Sequence, residues 1–230
     1  MPRPSAARDV LVVAGGDPIP SSATESLPEV STVIAADSGL AAARRLGIEV
    51  DLVIGDMDSV EPADLDAAAA AGARIERHPA AKDATDLALA LDAALELAPT
   101  SITVLGGAGG RLDHLLAGAL LLAAERYADV AITARMGPST VTVVRTAATL
   151  TGRPGDLVTL LPVHGPADGV RTDGLRYPLS GERLHAGSTR GVSNELAAER
   201  ASVRLDGGVL LAIQSGPPIP PGPPIPPSDR

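Results

Sequence analysis

The 230-residue chain contains no cysteine, no phenylalanine and no tryptophan. Without cysteine the protein has no disulfide framework, no thiol nucleophile and no metal site with cysteine ligands. Because two tyrosines are its only large aromatic residues, its core has to be built from Ala, Leu, Val and Ile. Lysine is nearly absent as well: Lys82 is the only one, and the other 18 of the 19 Lys and Arg residues are arginine.

The chain also lacks a long hydrophobic run and an excess of positive charge. Its longest apolar stretch, residues 115–124, has about half of the ~20 residues that a membrane-spanning helix needs. The apolar run Val10–Ala14 is too short for a signal peptide. A formal net charge of −9 disfavours non-specific binding to nucleic acid or to anionic membranes. We therefore expect a cytoplasmic protein with neither nucleic acid nor a membrane as a partner.

The first two thirds of the chain alternate short, continuously apolar runs with longer Ala- and Leu-rich segments. Val10–Ala14 and Thr32–Ala36 are typical of strands that are buried on both faces. In residues 83–97 the apolar side chains recur at helical spacing. This alternation predicts an α/β domain over residues 9–146, with an open, mainly parallel sheet and helices on both faces.

The remainder of the chain differs in composition and pattern. After about residue 147, Gly, Pro, Ser, Thr and Asp interrupt short apolar runs, and no long helical pattern remains. This pattern predicts a smaller, antiparallel all-β domain over residues 147–214. The last segment, 215–230, holds eight of the 21 prolines, and we predict a disordered Pro-rich tail there.

Glycine and acidic residues follow the predicted strands, at the sheet edge where open α/β folds bind ligands. Gly15 and Gly16 come directly after the first strand, and paired glycines let backbone N–H groups approach a phosphate. The alternative is an ordinary tight turn. Asp37 follows the second strand and either caps the next helix or points into the shared crevice. The G-x-G-x-x-G and P-loop fingerprints are missing, which disfavours a nicotinamide-dependent oxidoreductase.

Asp56 and Asp58 are the principal candidate metal ligands. They lie two residues apart on the loop after the predicted strand Leu52–Ile54, where their charges repel unless a cation lies between them. Carboxylate oxygens at this spacing suit Mg²⁺, which completes its shell with water and substrate phosphates. The alternative is a pair of Asx turns that open the helix near Pro62.

The only lysine stands at the start of the most regular helical pattern. Asp83 as the N-cap residue and Asp86 three residues later resemble a capping box, but a capping box does not account for Lys82. A single lysine in a chain that otherwise uses arginine suggests the need for a compact ammonium charge.

A glycine-rich segment, residues 106–114, follows another predicted strand and precedes a helix. It contains four glycines, and the guanidinium of Arg111 can hold phosphate oxygens through two hydrogen bonds. Asp113 and His114 are helix caps in the alternative, purely structural interpretation. The segment therefore predicts a second set of phosphate contacts at the same edge of the sheet.

Taken together, these motifs resemble the thiamine pyrophosphokinase family. Five segments follow the family's order and spacing: Ala36-Asp37-Ser38-Gly39, Gly55-Asp56-Met57-Asp58-Ser59, Lys82-Asp83-Ala84-Thr85-Asp86, Gly109-Gly110-Arg111-Leu112-Asp113-His114, and residues 174–179 with 187–195. Each segment alone is a weak signal, but five in register are specific. The resemblance covers roughly residues 9–213.

The resemblance implies a Mg²⁺-dependent transfer of the pyrophosphoryl group of ATP to the hydroxyl of thiamine, giving AMP and thiamine diphosphate. It also implies a β-sandwich second domain and a homodimer with its active site at the subunit interface. Asp56, Asp58 and Asp86 match metal ligands, and with Arg111 they form the predicted catalytic set. The predicted binding residues, including the loop glycines, are Gly15, Gly16, Asp37, Lys82, Thr85, Gly107, Arg111 and Asp113 for ATP, and Ser193 and Asn194 for thiamine.

Two other functions stay open at this point. One is a pyrophosphokinase that acts on another primary alcohol, such as a hydroxymethylpterin, and the other is a catalytically silent nucleotide-binding regulator. Close, mutually repelling carboxylates argue against the regulator, because a dead site has no physical reason to keep them. Relatives can stack an aromatic side chain, often Trp, on the substrate rings; here Tyr177, a histidine or an apolar side chain has to replace it.

Overall fold

A computed structural model describes residues 8–24 and 27–216. The predicted disordered tail, 215–230, lies outside the described residues except for its first two positions. Within the described part of the chain, no helix is both long and apolar enough to cross a membrane.

Six parallel strands form the first part of a ten-stranded sheet. They are β1 (Asp9–Ala14), β2 (Thr32–Ala36), β3 (Leu52–Gly55), β4 (Arg74–Arg77), β5 (Ser101–Leu105) and β6 (Ala131–Met136). Their spatial order is β6-β5-β1-β2-β3-β4, so the direction of chain progression reverses between β1 and β5. Such a reversal opens a crevice at the carboxyl ends of the two strands, which is where open α/β sheets bind ligands.

Four α-helices cover the two faces of this parallel part. They are α1 (Gly39–Arg45), α2 (Pro62–Ala70), α3 (Asp86–Glu96) and α4 (Leu112–Leu122). Alternate residues of β1 show the two faces: Val10 and Val12 pack in the core that holds α3 and α4 residues, while Leu11 and Val13 pack with α1 residues on the other side. The predicted open, mainly parallel sheet with helices on both faces is confirmed.

The rest of the chain is antiparallel and completes a sandwich. Its strands are β7 (Ser139–Val144), β8 (Ala147–Thr151), β9 (Leu157–Pro162), β10 (Ala167–Asp173), β11 (Ser180–Leu184), β12 (Asn194–Glu195), β13 (Arg200–Arg204) and β14 (Leu210–Gln214). β7, β14, β9 and β12 extend the first sheet beyond β6, whereas β11, β10, β13 and β8 form a second sheet. Buried Val144, Leu160 and Leu210 of the large sheet pack with Leu150 and Val203 of the small one. The predicted sandwich is confirmed.

The two predicted domains share one sheet. β7 pairs antiparallel with residues 133–136 of β6 on one side and with the whole length of β14 on the other. Backbone hydrogen bonds therefore run without interruption from the parallel to the antiparallel part. The predicted boundary at 146/147 falls in the turn between β7 and β8. The division into domains stays a prediction.

Some local predictions differ from the structure. The most regular helix begins at Asp86 and not at Asp83, and its N-cap residue is Thr85, whose side chain accepts a hydrogen bond from the Ala88 amide at 3.2 Å. The capping box with Asp83 as N-cap, which was the structural alternative for this segment, is therefore absent. β4 was not predicted, because its residues, Arg74–Arg77, are only half-buried or exposed at the sheet edge and form no apolar run.

Side chains from the antiparallel part hold the carboxyl end of α4. Nη2 of Arg145, in the turn between β7 and β8, donates to the carbonyl oxygens of Ala123 and Ala124, each at 2.8 Å. Nε2 of His164 donates to the Leu120 carbonyl at 3.0 Å. The last carbonyls of a helix have no partner within the helix, and a cation there is favourable to the helix dipole. These contacts anchor α4 to the sandwich.

We expect Arg145→Ala to lower the free energy of unfolding by about 1.5–3 kcal/mol, since hydrogen bonds from a charged group to buried carbonyls are lost. The melting temperature then falls by several degrees, as measured by circular dichroism. Arg153→Ala is the matched control, because Arg153 is exposed and its side chain has no ion pair within the described part of the chain. Equal stability of the two variants would contradict the anchoring role.

Candidate functional site

A cavity of about 700 Å³ opens at the carboxyl ends of the parallel strands, between the loops after β1 and β5 and the amino ends of α3 and α4. Among the residues predicted for ATP, metal or catalysis, those that line it are Gly15, Gly16, Asp37, Asp56, Asp58, Lys82, Thr85, Asp86, Gly107 and Arg111. The cavity therefore coincides with the crevice expected from the strand order.

Close contact between two loops explains the glycines after β1. The Asp17 amide donates to the Ala108 carbonyl at 2.8 Å, and the Gly107 amide donates to the Gly15 carbonyl at 2.9 Å. Gly16 has a φ of +136°, and a Cβ atom there would collide with the Ala108 carbonyl. Glycine is thus required for packing, as in the tight-turn alternative. The Gly107 amide is already engaged, so it offers no free donor to a phosphate.

Three aspartates meet at the ends of β2 and β3. Carboxylate oxygens of Asp37, Asp56 and Asp58 lie within 4.8 Å of one another. The adjacent parallel strands bring them together, and the Asp37 amide donates to the Ile54 carbonyl at 2.9 Å. The Asp58 amide donates to Asp56 Oδ1 at 3.2 Å, so the Asx turn expected in the structural alternative is also present. The turn and the acidic cluster coexist.

Asp37 is the most constrained of the three. Its side chain is buried, and Oδ1 has no hydrogen-bond partner within the described part of the chain. Burial, followed by the charges of Asp86 and Asp56, raises the pKa of Asp37 against the opposing effect of the Ser38 amide and the Ser59 hydroxyl. The backbone has a left-handed φ of +45°. Asp37 does not cap α1, whose N-cap residue is Ser38.

These oxygen donors fit a hard divalent cation. A buried carboxylate oxygen without a partner, next to two further carboxylates, is an arrangement that a cation such as Mg²⁺ stabilises. The sequence predicts Asp86 as the third ligand and Asp37 as an ATP contact. In the structure it is Asp37 that joins Asp56 and Asp58, while Asp86 lies beside them and accepts a hydrogen bond from Lys82.

Lys82 bridges the acidic residues. Its Nζ lies 2.6 Å from Asp86 Oδ1 and 3.4 Å from Asp56 Oδ2, and its side chain is only 13% exposed. Burial lowers the pKa of Lys82, but the hydrogen bonds and charges of Asp86 and Asp56 outweigh this effect and raise it. The pKa of Asp56 is lowered by the hydrogen bond from the Asp58 amide, with a further contribution from Lys82. Lys82 is therefore a charged partner of the cluster.

Arg111 forms the opposite rim of the cavity. Its Nη2 donates to Asp113 Oδ2 at 2.6 Å, which lowers the pKa of Asp113 to about 2. Asp113 is exposed and does not line the cavity, so it reaches the site only through Arg111. Arg111 is the N-cap residue of α4, which contradicts the interpretation of Asp113 and His114 as caps. His114 lines the cavity, three residues after Arg111, although its place in the sequence suggested only the structural interpretation of a cap.

Ser193 and Asn194 do not line the cavity of their own chain. Asn194 is buried, and its side chain accepts from the amides of Tyr177 and Glu195 and donates to the Tyr177 carbonyl at 2.7 Å. Its polar atoms thus hold the Tyr177 loop against β12. Ser193 is exposed, with a φ of +59°. Their assignment to thiamine stays a prediction.

We expect Asp37→Asn to raise the melting temperature of the metal-free protein at pH 7 by about 2–4 °C, the shift that 1 kcal/mol produces in a chain of this size. Asparagine tolerates the left-handed backbone and removes a buried charge. Because the pKa of Asp37 is raised in the folded state, the destabilisation is present above that pKa and disappears below the usual range of carboxyl groups. The advantage of the variant should therefore shrink as the pH falls.

Thermal unfolding in a chelator at several pH values measures this effect. Asp83→Asn is the control, since Asp83 is an exposed carboxylate that lies outside the acidic group and does not line the cavity. An Asp37→Asn variant that is less stable than the wild type at pH 7 would contradict the role of burial and repulsion.

Comparisons with known proteins agree with this geometry. Residues 24–134 match the protein-family model "Thiamin pyrophosphokinase, catalytic domain", and residues 144–210 match "Thiamin pyrophosphokinase, vitamin B1 binding domain". The thiamine pyrophosphokinase of Bacillus subtilis is 28% identical over 220 residues, which are 90% of this chain and 99% of that protein.

Solved structures give the same result. The crystal structure of the Bacillus subtilis thiamine pyrophosphokinase has a TM-score of 0.80 and 27% identity, covering 92% of this chain and all of that one. The structure from Geobacillus thermodenitrificans has a TM-score of 0.76 and 27% identity, covering 91% and 98%. Since the two family models together span most of the chain, the chain belongs to the thiamine pyrophosphokinase family.

Proposed function

We propose that this enzyme transfers the pyrophosphoryl group of ATP to the hydroxyl of thiamine, releasing AMP and thiamine diphosphate. The observation that carries the proposal is the buried, unpartnered oxygen of Asp37 facing Asp56 and Asp58 in a cavity that also holds Lys82 and Arg111. Family membership points to the same reaction. It favours neither a different primary alcohol as the acceptor nor a silent nucleotide-binding regulator.

We assign the metal-binding role to Asp37, Asp56 and Asp58, with Asp86 beside them. When bound there, Mg²⁺ neutralises charge on the polyphosphate and on the carboxylates. Lys82 contributes an ammonium and Arg111 a planar guanidinium, which can pair with two phosphate oxygens. In a protein with a net charge of −9, these local positive charges are what makes a tetra-anionic nucleotide acceptable to the cavity.

The chemical step needs little covalent assistance from the protein. The hydroxyl oxygen of thiamine attacks the β-phosphorus of ATP, the bond from that phosphorus to the α-β bridging oxygen breaks, and AMP leaves. Positioning and charge neutralisation supply most of the rate of such transfers. A carboxylate in the cavity accepts the hydroxyl proton.

An assay with purified protein, ATP, Mg²⁺ and thiamine tests this proposal. AMP and thiamine diphosphate should appear in equal amounts, and omission of thiamine should suppress AMP formation. We expect Asp56→Asn and Asp58→Asn each to lower turnover at least about 100-fold with the fold preserved, because charge stabilisation at a transferring phosphoryl group is lost. Asp66→Asn, on the exposed side of α2, is the control.

Three results would refute the assignment. AMP formation that does not depend on thiamine would reject thiamine as the acceptor. Product formed only with a hydroxymethylpterin would show that this alcohol, and not thiamine, is the substrate. Near-normal rates of both carboxylate variants at low Mg²⁺ would show that Asp56 and Asp58 do not bind the metal.

We further propose a homodimer whose active site lies at the subunit interface. Two observations support it. Ser193 and Asn194 do not line the cavity of their own chain, so the thiamine contact that the resemblance implies for them requires a second subunit. In addition, α4 presents a stripe of three leucines, Leu112, Leu116 and Leu120, which are 67%, 55% and 44% exposed. The same helix lines the cavity with His114 and Gly118. Such a stripe on a helix is typical of an interface.

We expect Leu116→Asp to raise the dissociation constant of the dimer at least about tenfold, as the loss of a buried apolar anchor does. Light scattering after size exclusion should then report the mass of one chain, 23.1 kDa, and activity should fall with it. Leu97→Asp is the control, because Leu97 is similarly exposed at the end of α3. A monomeric wild type, or a dimeric and active Leu116→Asp, would contradict this proposal.

The cytoplasmic location and the lack of nucleic-acid and membrane partners stay predictions. They rest on the composition and the net negative charge of the chain.

A further inference from the structure

The ammonium of Lys82 lies against two carboxylates of the cavity. It contacts Asp86 Oδ1 at 2.6 Å and Asp56 Oδ2 at 3.4 Å, with only 13% of its side chain exposed. Asp56 also has an oxygen within 4.8 Å of Asp37 and Asp58. A single carboxylate, Asp56, therefore belongs both to the ion pair and to the proposed metal ligands.

This shared carboxylate sets up a competition between two cations. An ammonium and a divalent cation that use the same carboxylate repel each other, and the repulsion is strong where solvent is largely excluded. The single positive charge of Lys82 partly neutralises Asp56 and Asp86 but leaves Asp37 Oδ1 without a partner. Lys82 thus compensates only part of the negative charge of the cluster.

We propose that Lys82 is an internal counter-ion that weakens binding of free divalent cations until a polyphosphate draws its ammonium away from Asp56. Lysine suits this role, because its point charge stands on a flexible stem with three rotatable donors. Once the ammonium pairs with a phosphate, Asp56 is released to the metal. Nucleotide and metal then promote each other's binding, as thermodynamic coupling between two sites requires. The inference rests on the proposed function in that a nucleotide polyphosphate and a divalent cation enter this cavity.

The first test measures metal binding alone, without nucleotide or thiamine. Mn²⁺ is titrated into the wild type and into Lys82→Met, a neutral side chain of similar length, and free Mn²⁺ is followed by electron paramagnetic resonance. We expect Lys82→Met to bind Mn²⁺ about tenfold more tightly, the lower end of what one charge-assisted hydrogen bond is worth. A residue that only supports the fold, or only contacts ATP, would not tighten metal binding when removed.

Arg111→Met is the matched control. It also removes one positive charge from the cavity lining, but that charge is paired with Asp113 and not with the cluster. We expect its Mn²⁺ affinity to change less than about threefold, since a more distant charge is screened. Unchanged or weaker Mn²⁺ binding in Lys82→Met, or an equal gain in both variants, would overturn the proposal.

A second measurement needs no variant. Because Lys82 is the only lysine in the chain, ¹⁵N-lysine labelling of the full chain yields a single side-chain ammonium signal. Saturating Mg²⁺ together with a non-hydrolysable ATP analogue should shift this signal, and Mg²⁺ alone should shift it only at much higher concentrations. A signal that stays in place while metal saturates the protein would show that the two cations do not compete, and the inference would fail.

These outcomes are separable from those of the proposed function. The thiamine assay on the wild type tests the reaction, whereas the Mn²⁺ titration contains neither substrate. Tighter metal binding in Lys82→Met together with an inactive wild type would support the counter-ion role of Lys82 and reject the proposed reaction. An active wild type together with unchanged metal binding in Lys82→Met would support the reaction and reject the counter-ion role.

Discussion

Repulsion between carboxylates at the ends of β2 and β3 is the constraint on which the site depends. Parallel strands bring their carboxyl ends to one edge, so acidic residues that follow adjacent strands are forced together. Asp37 is buried there with an unpartnered oxygen, and the free energy of that arrangement is unfavourable until a cation is near. Lys82 supplies part of the compensating positive charge from within the chain. A divalent cation that enters with a nucleotide supplies the rest.

The rest of the fold serves to hold this unfavourable arrangement in place. Backbone hydrogen bonds connect the glycine loops after β1 and β5. These two loops form one side of the cavity. The helix that carries Arg111 and His114 is fixed at its far end by Arg145 and His164 from the sandwich. Because β7 pairs with β6, the antiparallel region is continuous with the catalytic sheet. The sandwich and the cavity are therefore joined through one continuous sheet.

Most of the cavity lining was predictable from the sequence, because the chemistry of loops after buried strands is local. Apolar runs mark β1, β2, β3 and β5, and the residues that follow parallel strands share one edge of the sheet. Features without a local signal were not predictable. β4 has no apolar run, the N-cap of α3 is Thr85 although Asp83 has the same capping chemistry, and His114 is distinguished only by its place on a helix beside the cavity.

Residue type, periodicity and order along the chain were enough to predict an α/β domain followed by an antiparallel all-β region. They also identified the acidic, basic and glycine residues available to the site, whereas the family and the sandwich architecture were implied by the resemblance of five motifs to a known family. Which of these residues lie together depends on the tertiary structure. Asp37 joins Asp56 and Asp58 in a group of three carboxylates, Lys82 pairs with Asp86 and Asp56, and Asn194 holds the Tyr177 loop. Each outcome depends on distances between segments far apart in sequence, and these distances are set by strand register and packing.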